Sequence, residues 1–208
     1  MTLAPDSGLV EMSVESTGDT YPMMTSTHQH QNGIDSTAVH DARTALEGAS
    51  EAAAFVWRAQ CQWVTGMHAR TSVERFSGLG AELGHRSPHV LETDAPRFLG
   101  AGDNAMTPTE VVLGGLAGCL VAAAAAAATE RGVEVRSITA HVVGRQDLRA
   151  SLGIDSPAPA GCSEISVRMV VDADASVDAL DEIVAEAHRR SAVSDLLSRP
   201  VAVTVDVI

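Results

Sequence analysis

The stretch TPTEVVLGGLAGCLVAAAAAAATER, residues 107–131, constrains this chain more than any other. Thr107 fits an N-cap, and Pro108 fits the first helical position, where a missing N–H costs nothing. Glu110 completes a capping box. The alanine run 122–128 has the highest helix propensity, and Arg131 followed by Gly132 is an expected stop. At about 1.5 Å per residue the helix is roughly 35–38 Å long. It is apolar all round between Val111 and Ala128, so it is expected to be buried on every side. Gly114, Gly115 and Gly118 are expected to let other backbone approach closely around Cys119, a thiol near the helix middle.

Two other readings of this segment fail. Its apolar run of about 18 residues stands at the lower edge of a membrane span. It is rich in Ala and Gly, however, lacks an aromatic belt, and has no second run like it in the chain. The tetrapeptide Leu116-Ala117-Gly118-Cys119 has the form of a lipoprotein cleavage site, but that signal belongs at an N-terminus behind a basic region.

A chain of 208 residues suffices for one domain with a core plus an appendage. Its net charge of −13 argues against nucleic acid and anionic membrane surfaces as partners. Three widely spaced cysteines make neither a disulfide framework nor a zinc site, which points to a reducing, cytoplasmic setting. Residues 1–24 carry no basic and apolar regions of the kind a secretion signal needs. Aromatics are only 3% of the chain, so Ala, Val and Leu must build the core.

Residues 1–35 are rich in Ser, Thr, Gly and His without a period and are expected to form a disordered tail. Within it His28 and His30 make at most a weak metal pair. Residues 36–54 read as a helix. Residues 55–64 and 68–76 then alternate as strands around a turn at Thr65-Gly66. Residues 78–102 read as loop with a short strand near 89–92. Beyond the long helix, residues 133–144 and 164–173 alternate as strands around a Pro/Gly-bearing loop at 145–161. Residues 176–190 form an amphipathic helix with Val177, Leu180, Val184 and Ala187 inward. A short helical turn at 191–198 and a last strand at 201–208 complete the chain. Adjacent strand pairs imply an α+β fold with a largely antiparallel sheet. One sheet face cannot cover a helix that is apolar all round, so a tight homodimer is expected.

Several separated stretches, taken together, resemble the OsmC/Ohr superfamily of osmotically inducible and organic hydroperoxide resistance proteins over residues 55–208. The strongest is Thr107-Pro108-Thr109-Glu110 followed by Leu116-Ala117-Gly118-Cys119-Leu120. Others are Trp57-Arg58-Ala59 with Trp63, Gly66, His68 and Arg70-Thr71-Ser72; Asp147-Leu148-Arg149 with Leu152-Gly153; and Arg190-Ser191-Ala192-Val193. The resemblance implies an intertwined homodimer with long central helices packed against antiparallel-rich sheets. It also implies thiol-dependent reduction of organic hydroperoxides, with a small-molecule peroxide and a thiol reductant as partners and no resident cofactor. In that chemistry a low-pKa cysteine attacks the peroxide and becomes a sulfenic acid, which a second thiol resolves.

Carried onto this sequence, the resemblance makes Cys119 the peroxidatic cysteine, Glu110 the helix glutamate and Arg70 the strand arginine. The chain departs from the peroxidase branches at Ser191, where they carry the resolving cysteine; Cys61 and Cys162 are its only other thiols, and neither stands there. Each residue also has a plainer reading. Cys119 can be an inert core thiol, since an apolar setting raises its pKa and a mid-helix position gains nothing from the helix N-terminus. The capping box alone explains Glu110, which lies nine residues before Cys119 and half a turn off its face. Arg70 can be an ordinary exposed strand residue, His68 shares its strand face, and Arg149 can simply pair with Asp147. Arg189 and Arg190 fit the last turn of their helix. Two functions follow: a thiol peroxidase on Cys119 recycled by an external thiol, or a silent relative that binds an apolar or thiol-containing small molecule at the dimer interface.

Overall fold

The computed structural model describes residues 30–207. His28 lies outside them, and among the described residues no cluster of three or more His, Cys, Asp or Glu could hold a metal. The sequence reading put residues 30–35 in a tail; they instead form a small hairpin, β1 (His30–Gln31) and β2 (Ile34–Asp35). Asn32 and Gly33 turn it with φ of 53° and 76°, the left-handed pair that a two-residue hairpin requires. Asp35 then caps α1 (Ser36–Gly48) by accepting from the Ala38 N–H.

The hairpin is latched to the body by one side chain. Asn32 donates 3.0 Å bonds to Thr129 Oγ1 and to the Val133 carbonyl, and accepts from the Val135 N–H at 2.9 Å. These are polar groups at the end of the long helix and the start of the following strand, where backbone would otherwise go unpaired.

β3 (Val56–Trp57), β4 (Gln60–Thr65), β5 (His68–Gly78) and β6 (Ala81–Thr93) form one antiparallel sheet. β3 and β4 lie on one side of β5 and β6 on the other. β6 is a correction to the sequence reading, which left most of residues 78–102 as loop. Its residues are too polar to show a period, and Pro88 argues against a strand interior. Leu79 and Gly80, both left-handed, close a tight hairpin, and the register shift between Val73 and Arg75 accommodates Pro88 as a bulge. The rings of Phe55, Trp57 and Phe76 stack on this sheet, with Trp57 directly opposite Phe76.

The loop from β6 to α2 (Pro108–Glu130) is pinned by Asp94, which is 2% exposed. Its carboxylate accepts from the Asn104 N–H and side-chain amide and from the Ala95 N–H, and these bonds hold it below the usual carboxylate range. α2 begins with the capping box as read: Thr107 Oγ1 accepts from the Glu110 N–H, and Glu110 accepts from the Thr107 N–H.

β7 (Val135–Gln146) and β8 (Cys162–Ala173) pair as a second antiparallel sheet. A one-turn α3 (Leu148–Ser151) follows β7, and α4 (Val177–Arg190) and α5 (Ala192–Ser198) follow β8. α2 packs against β7, α4 and α5. The core is small and alanine-rich: Ala124, Ala127, Ala128, Ile183 and Ala187, ringed by Val133, Val135, Ile138, Met169 and Leu180.

Two expectations fail here. α2 is not buried on every side within the chain: Val112, Gly114, Gly115, Gly118 and Ala122 are exposed, and a Cβ added at any of the three glycines meets nothing within 4 Å. One sheet and two short helices can cover only one side of a 23-residue rod. Residues 201–207 also form no strand, because no free strand edge of this chain pairs with them. The whole chain exposes 16024 Å², against roughly 9,000 Å² for a compact monomer of its mass.

Candidate thiol site

Cys119 sits on the fourth turn of α2, half-buried, with all three cysteines of the chain free. What faces its sulfur is the start of α5. Ser191 is the N-cap of α5, 1% exposed, and its oxygen accepts from the Ser194 N–H at 3.1 Å. That bond uses an acceptor lone pair and leaves the hydroxyl proton free to donate. The Ser191 hydroxyl and the Val193 and Ala192 backbone N–H groups stand near Cys119 as donors that favour its thiolate. Burial pushes the thiol up, but these three donors outweigh it, and the net effect is a pKa below the ordinary 9.0.

Cys119 indeed gains nothing from the N-terminus of its own helix, but it does gain from donors at the first turn of α5. Sequence reasoning had no access to this, because 72 residues separate Ser191 from Cys119 along the chain. The legible signal was a serine N-cap heading a short helix, and the family pattern that puts a thiol at this place. The structure brings the Ser191 hydroxyl to the sulfur where that second thiol would stand.

The other site residues are engaged elsewhere in this chain. Glu110 closes the capping box, and the Thr107 N–H and hydroxyl hold its carboxyl below the usual range. Arg70, near the start of β5, pairs with Glu92 across the strand at 2.7 Å and remains 58% exposed. His68 Nε2 lies 3.1 Å from the other Glu92 oxygen, and Arg70 first and His68 second lower the Glu92 carboxyl. Neither Glu110 nor Arg70 is among the groups that bond to Cys119.

Arg149 pairs with Asp147, as its plain reading held, and pulls that carboxyl down to about 2. Arg189 pairs with Glu186, and Arg190 ties α4 to the end of α2 through Glu130 at 2.9 Å. Cys61 is exposed on β4 opposite Thr71. Cys162 opens β8 beneath Gly144, where an added Cβ would stand 3.0 Å from its sulfur. An open groove of about 640 Å³ runs between β8, α4 and α5 over the floor of Leu116 and Leu120. Its lining is mixed: Ile165, Val167, Met169, Val184 and Leu197 are apolar, and Glu164, Asp181, His188 and Ser194 are polar.

The family model for OsmC-like proteins matches residues 100–206, from the approach to α2 through the end of α5 and beyond. Among solved structures, an OsmC-like protein from Mycoplasma pneumoniae is similar at a TM-score of 0.52, with 14% identity over 68% of this chain and 86% of that one. An OsmC-like protein of unknown function from Vibrio cholerae gives 0.49, with 14% identity over 67% and 92%. The organic hydroperoxide resistance protein OhrB of Bacillus subtilis gives 0.42, with 19% identity over 67% and 90%. Identities this low speak to the fold alone. No curated protein matches the sequence. With the α+β architecture and more than half of its length matched by the family model, the chain belongs to the OsmC-like family.

Proposed function

We propose that the protein is a thiol peroxidase that reduces organic hydroperoxides through Cys119, with an external thiol as reductant. The observation that carries this reading is the set of three donors, from Ser191, Ala192 and Val193, converging on the Cys119 sulfur and favouring its thiolate. An inert core thiol has no need of them. The thiolate attacks the distal peroxide oxygen: the S–O bond forms, the O–O bond breaks, and the alkoxide leaves as the alcohol after taking up a proton. Cys119 is then a sulfenic acid. Ser191 cannot form a disulfide with it, so a first external thiol condenses with it, releasing water and leaving a mixed disulfide. A second thiol displaces Cys119 and leaves as the oxidised disulfide.

In this reading the working unit is a homodimer in a reducing, cytoplasmic setting, consistent with three free cysteines. The area excess and the uncovered small-residue face of α2 support a second copy packing there. Arg70 is proposed to act on the thiol across the subunit boundary through its exposed guanidinium, and Glu110 to act within its own chain by fixing the start of α2. The test is loss of an organic hydroperoxide with a thiol reductant, followed beside a Cys119→Ser control. Turnover that disappears in the control supports the peroxidase; equal loss in both proteins sinks it.

A second reading, a silent relative that binds a small apolar molecule, is favoured by the groove beside β8. Cys119 that alkylates only after denaturation, with no turnover, would select it.

A further inference from the structure

Ser191 ends one helix and begins another. It is the C-cap of α4 and the N-cap of α5, with φ −72° and ψ 108°. Its hydroxyl therefore stands wherever the end of α4 is held against α2. Hydrogen bonding tolerates a spread of only about 0.5 Å in donor–acceptor distance, so that end must be fixed closely. Ile183 and Ala187 seat α4 on Ala124, Ala127 and Ala128. Alanine methyls give shallow ridges, which resist sliding poorly.

The last residue of α4 supplies what the methyls lack. Arg190 Nη1 donates to both Glu130 oxygens at 2.9 Å, at the C-terminal end of α2. Its Nε pairs with Glu186 one turn back, and Glu186 is paired with Arg189 as well. Two carboxylates on one planar guanidinium fix its orientation as well as its place. Burial pushes the Glu130 carboxyl up, but Arg190 and then Arg43 outweigh it and hold it below its ordinary value. Arg43 comes from α1, which buries no residue of its own. That helix is no part of the core, yet among the described residues its ion pair goes to the carboxylate that holds Arg190. The Asn32 bonds to Thr129, Val133 and Val135 dock the same arm, residues 30–48, at the same end of α2. None of the arm falls within residues 100–206, which the family model matches.

We propose that Arg190 is a positioning residue for the thiol site: clamped by Glu130, with Arg43 of the N-terminal arm as the third member, it holds Ser191 at the Cys119 sulfur. This rests on the thiol site of the proposed peroxidase and gives that site a control point at the far end of α2. Glu130 lies eleven residues beyond Cys119 on the same helix, about 16 Å along its axis. That exceeds the screening length of about 10 Å in 0.1 M salt, so the charges of the clamp reach the sulfur weakly by themselves. They act through the helix end that they hold.

The test reads Cys119 itself, through the pH dependence of its iodoacetamide alkylation in the full-length protein, with the labelled peptide quantified by mass spectrometry. No peroxide is present, so a lack of turnover sinks the peroxidase without deciding the clamp. Glu130→Gln removes a negative charge and frees two positive ones, and a direct effect of that field would favour the thiolate. Loss of positioning does the opposite, so the alkylation rate on the acidic limb is expected to fall about threefold. An unchanged or faster rate overturns the proposal. In a Ser191→Ala background the same substitution is expected to change nothing further. A drop that persists there also overturns it, because the effect would then bypass Ser191. Should Glu130→Gln fail to fold, Arg43→Ala stands in for it, on a helix that buries no residue. It is expected to slow alkylation about twofold with the circular dichroism spectrum kept, and only where Ser191 is present. An unaltered rate, or one slowed equally without Ser191, overturns the clamp.

Discussion

At the scale of single residues the chemistry turns on three donors and one sulfur. A hydrogen bond to a charged group contributes about 1.5–3 kcal/mol, and a half-exposed thiol takes the lower end because water screens it. Ser191→Ala is therefore expected to move the Cys119 pKa upward, read as the pH midpoint of iodoacetamide alkylation. The sign is fixed: a lowered thiol pKa means fast alkylation persisting to lower pH, and the variant must lose rate first on the acidic side. A cap loss alone, worth about 1 kcal/mol, would lower stability and leave that midpoint in place. Ser191→Cys places a second thiol beside Cys119, where the resemblance puts a resolving cysteine. One equivalent of peroxide is expected to give a disulfide between Cys119 and the introduced thiol in this variant, visible by mass spectrometry after trapping free thiols, whereas the parent protein accumulates sulfenic and then sulfinic acid.

At the scale of elements, side chains far from the thiol hold the frame. Asn32→Ala removes two donors and an acceptor that fasten the β1–β2 hairpin to the end of α2, and it also loses a residue that tolerates positive φ. A loss of about 2 kcal/mol in urea unfolding is expected. Asp94 fastens the loop into α2 in the same way, and its carboxyl is held below 3.8. A depressed carboxyl stabilises fully above its unfolded pKa and loses that contribution as pH falls through the folded value. The difference in urea midpoint between the parent protein and Asp94→Ala is expected to be constant near pH 6 and to shrink below about pH 4. On α2, Gly118→Ala meets open space in this chain and gains about 1 kcal/mol of helix propensity. If a second copy packs on that face, the same methyl weakens the dimer while helix content stays, and sedimentation at two concentrations reads the difference.

At the scale of the molecule, an acidic chain leaves large apolar surfaces bare: one face of α2, the stacked rings on the β5 sheet and the last seven described residues. A net charge of −13 resists indiscriminate association of these surfaces. The alanine-rich core explains why so much is left over. Small side chains let helices approach closely but bury little area each.

The sequence alone was enough for α2, because its N-cap, proline, capping glutamate and alanine run are all local signals with local causes. It was enough also for β4, β5, β7, β8, α4 and the family pattern around Cys119, since alternation and amphipathicity are read within one element. It was not enough for β6, whose polar residues pair through backbone atoms that carry no sequence signature, nor for the Asn32-Gly33 hairpin, whose turn signal lacked apolar flanks. Tertiary structure decided two further things. It placed the Ser191 cap and its neighbouring amides on the Cys119 sulfur, turning a thiol in apolar surroundings into one with a lowered pKa, because that shift depends on groups brought together from distant positions. It also denied residues 201–207 a partner within the chain, because alternation specifies a strand, but only the arrangement of edges decides what the strand can pair with.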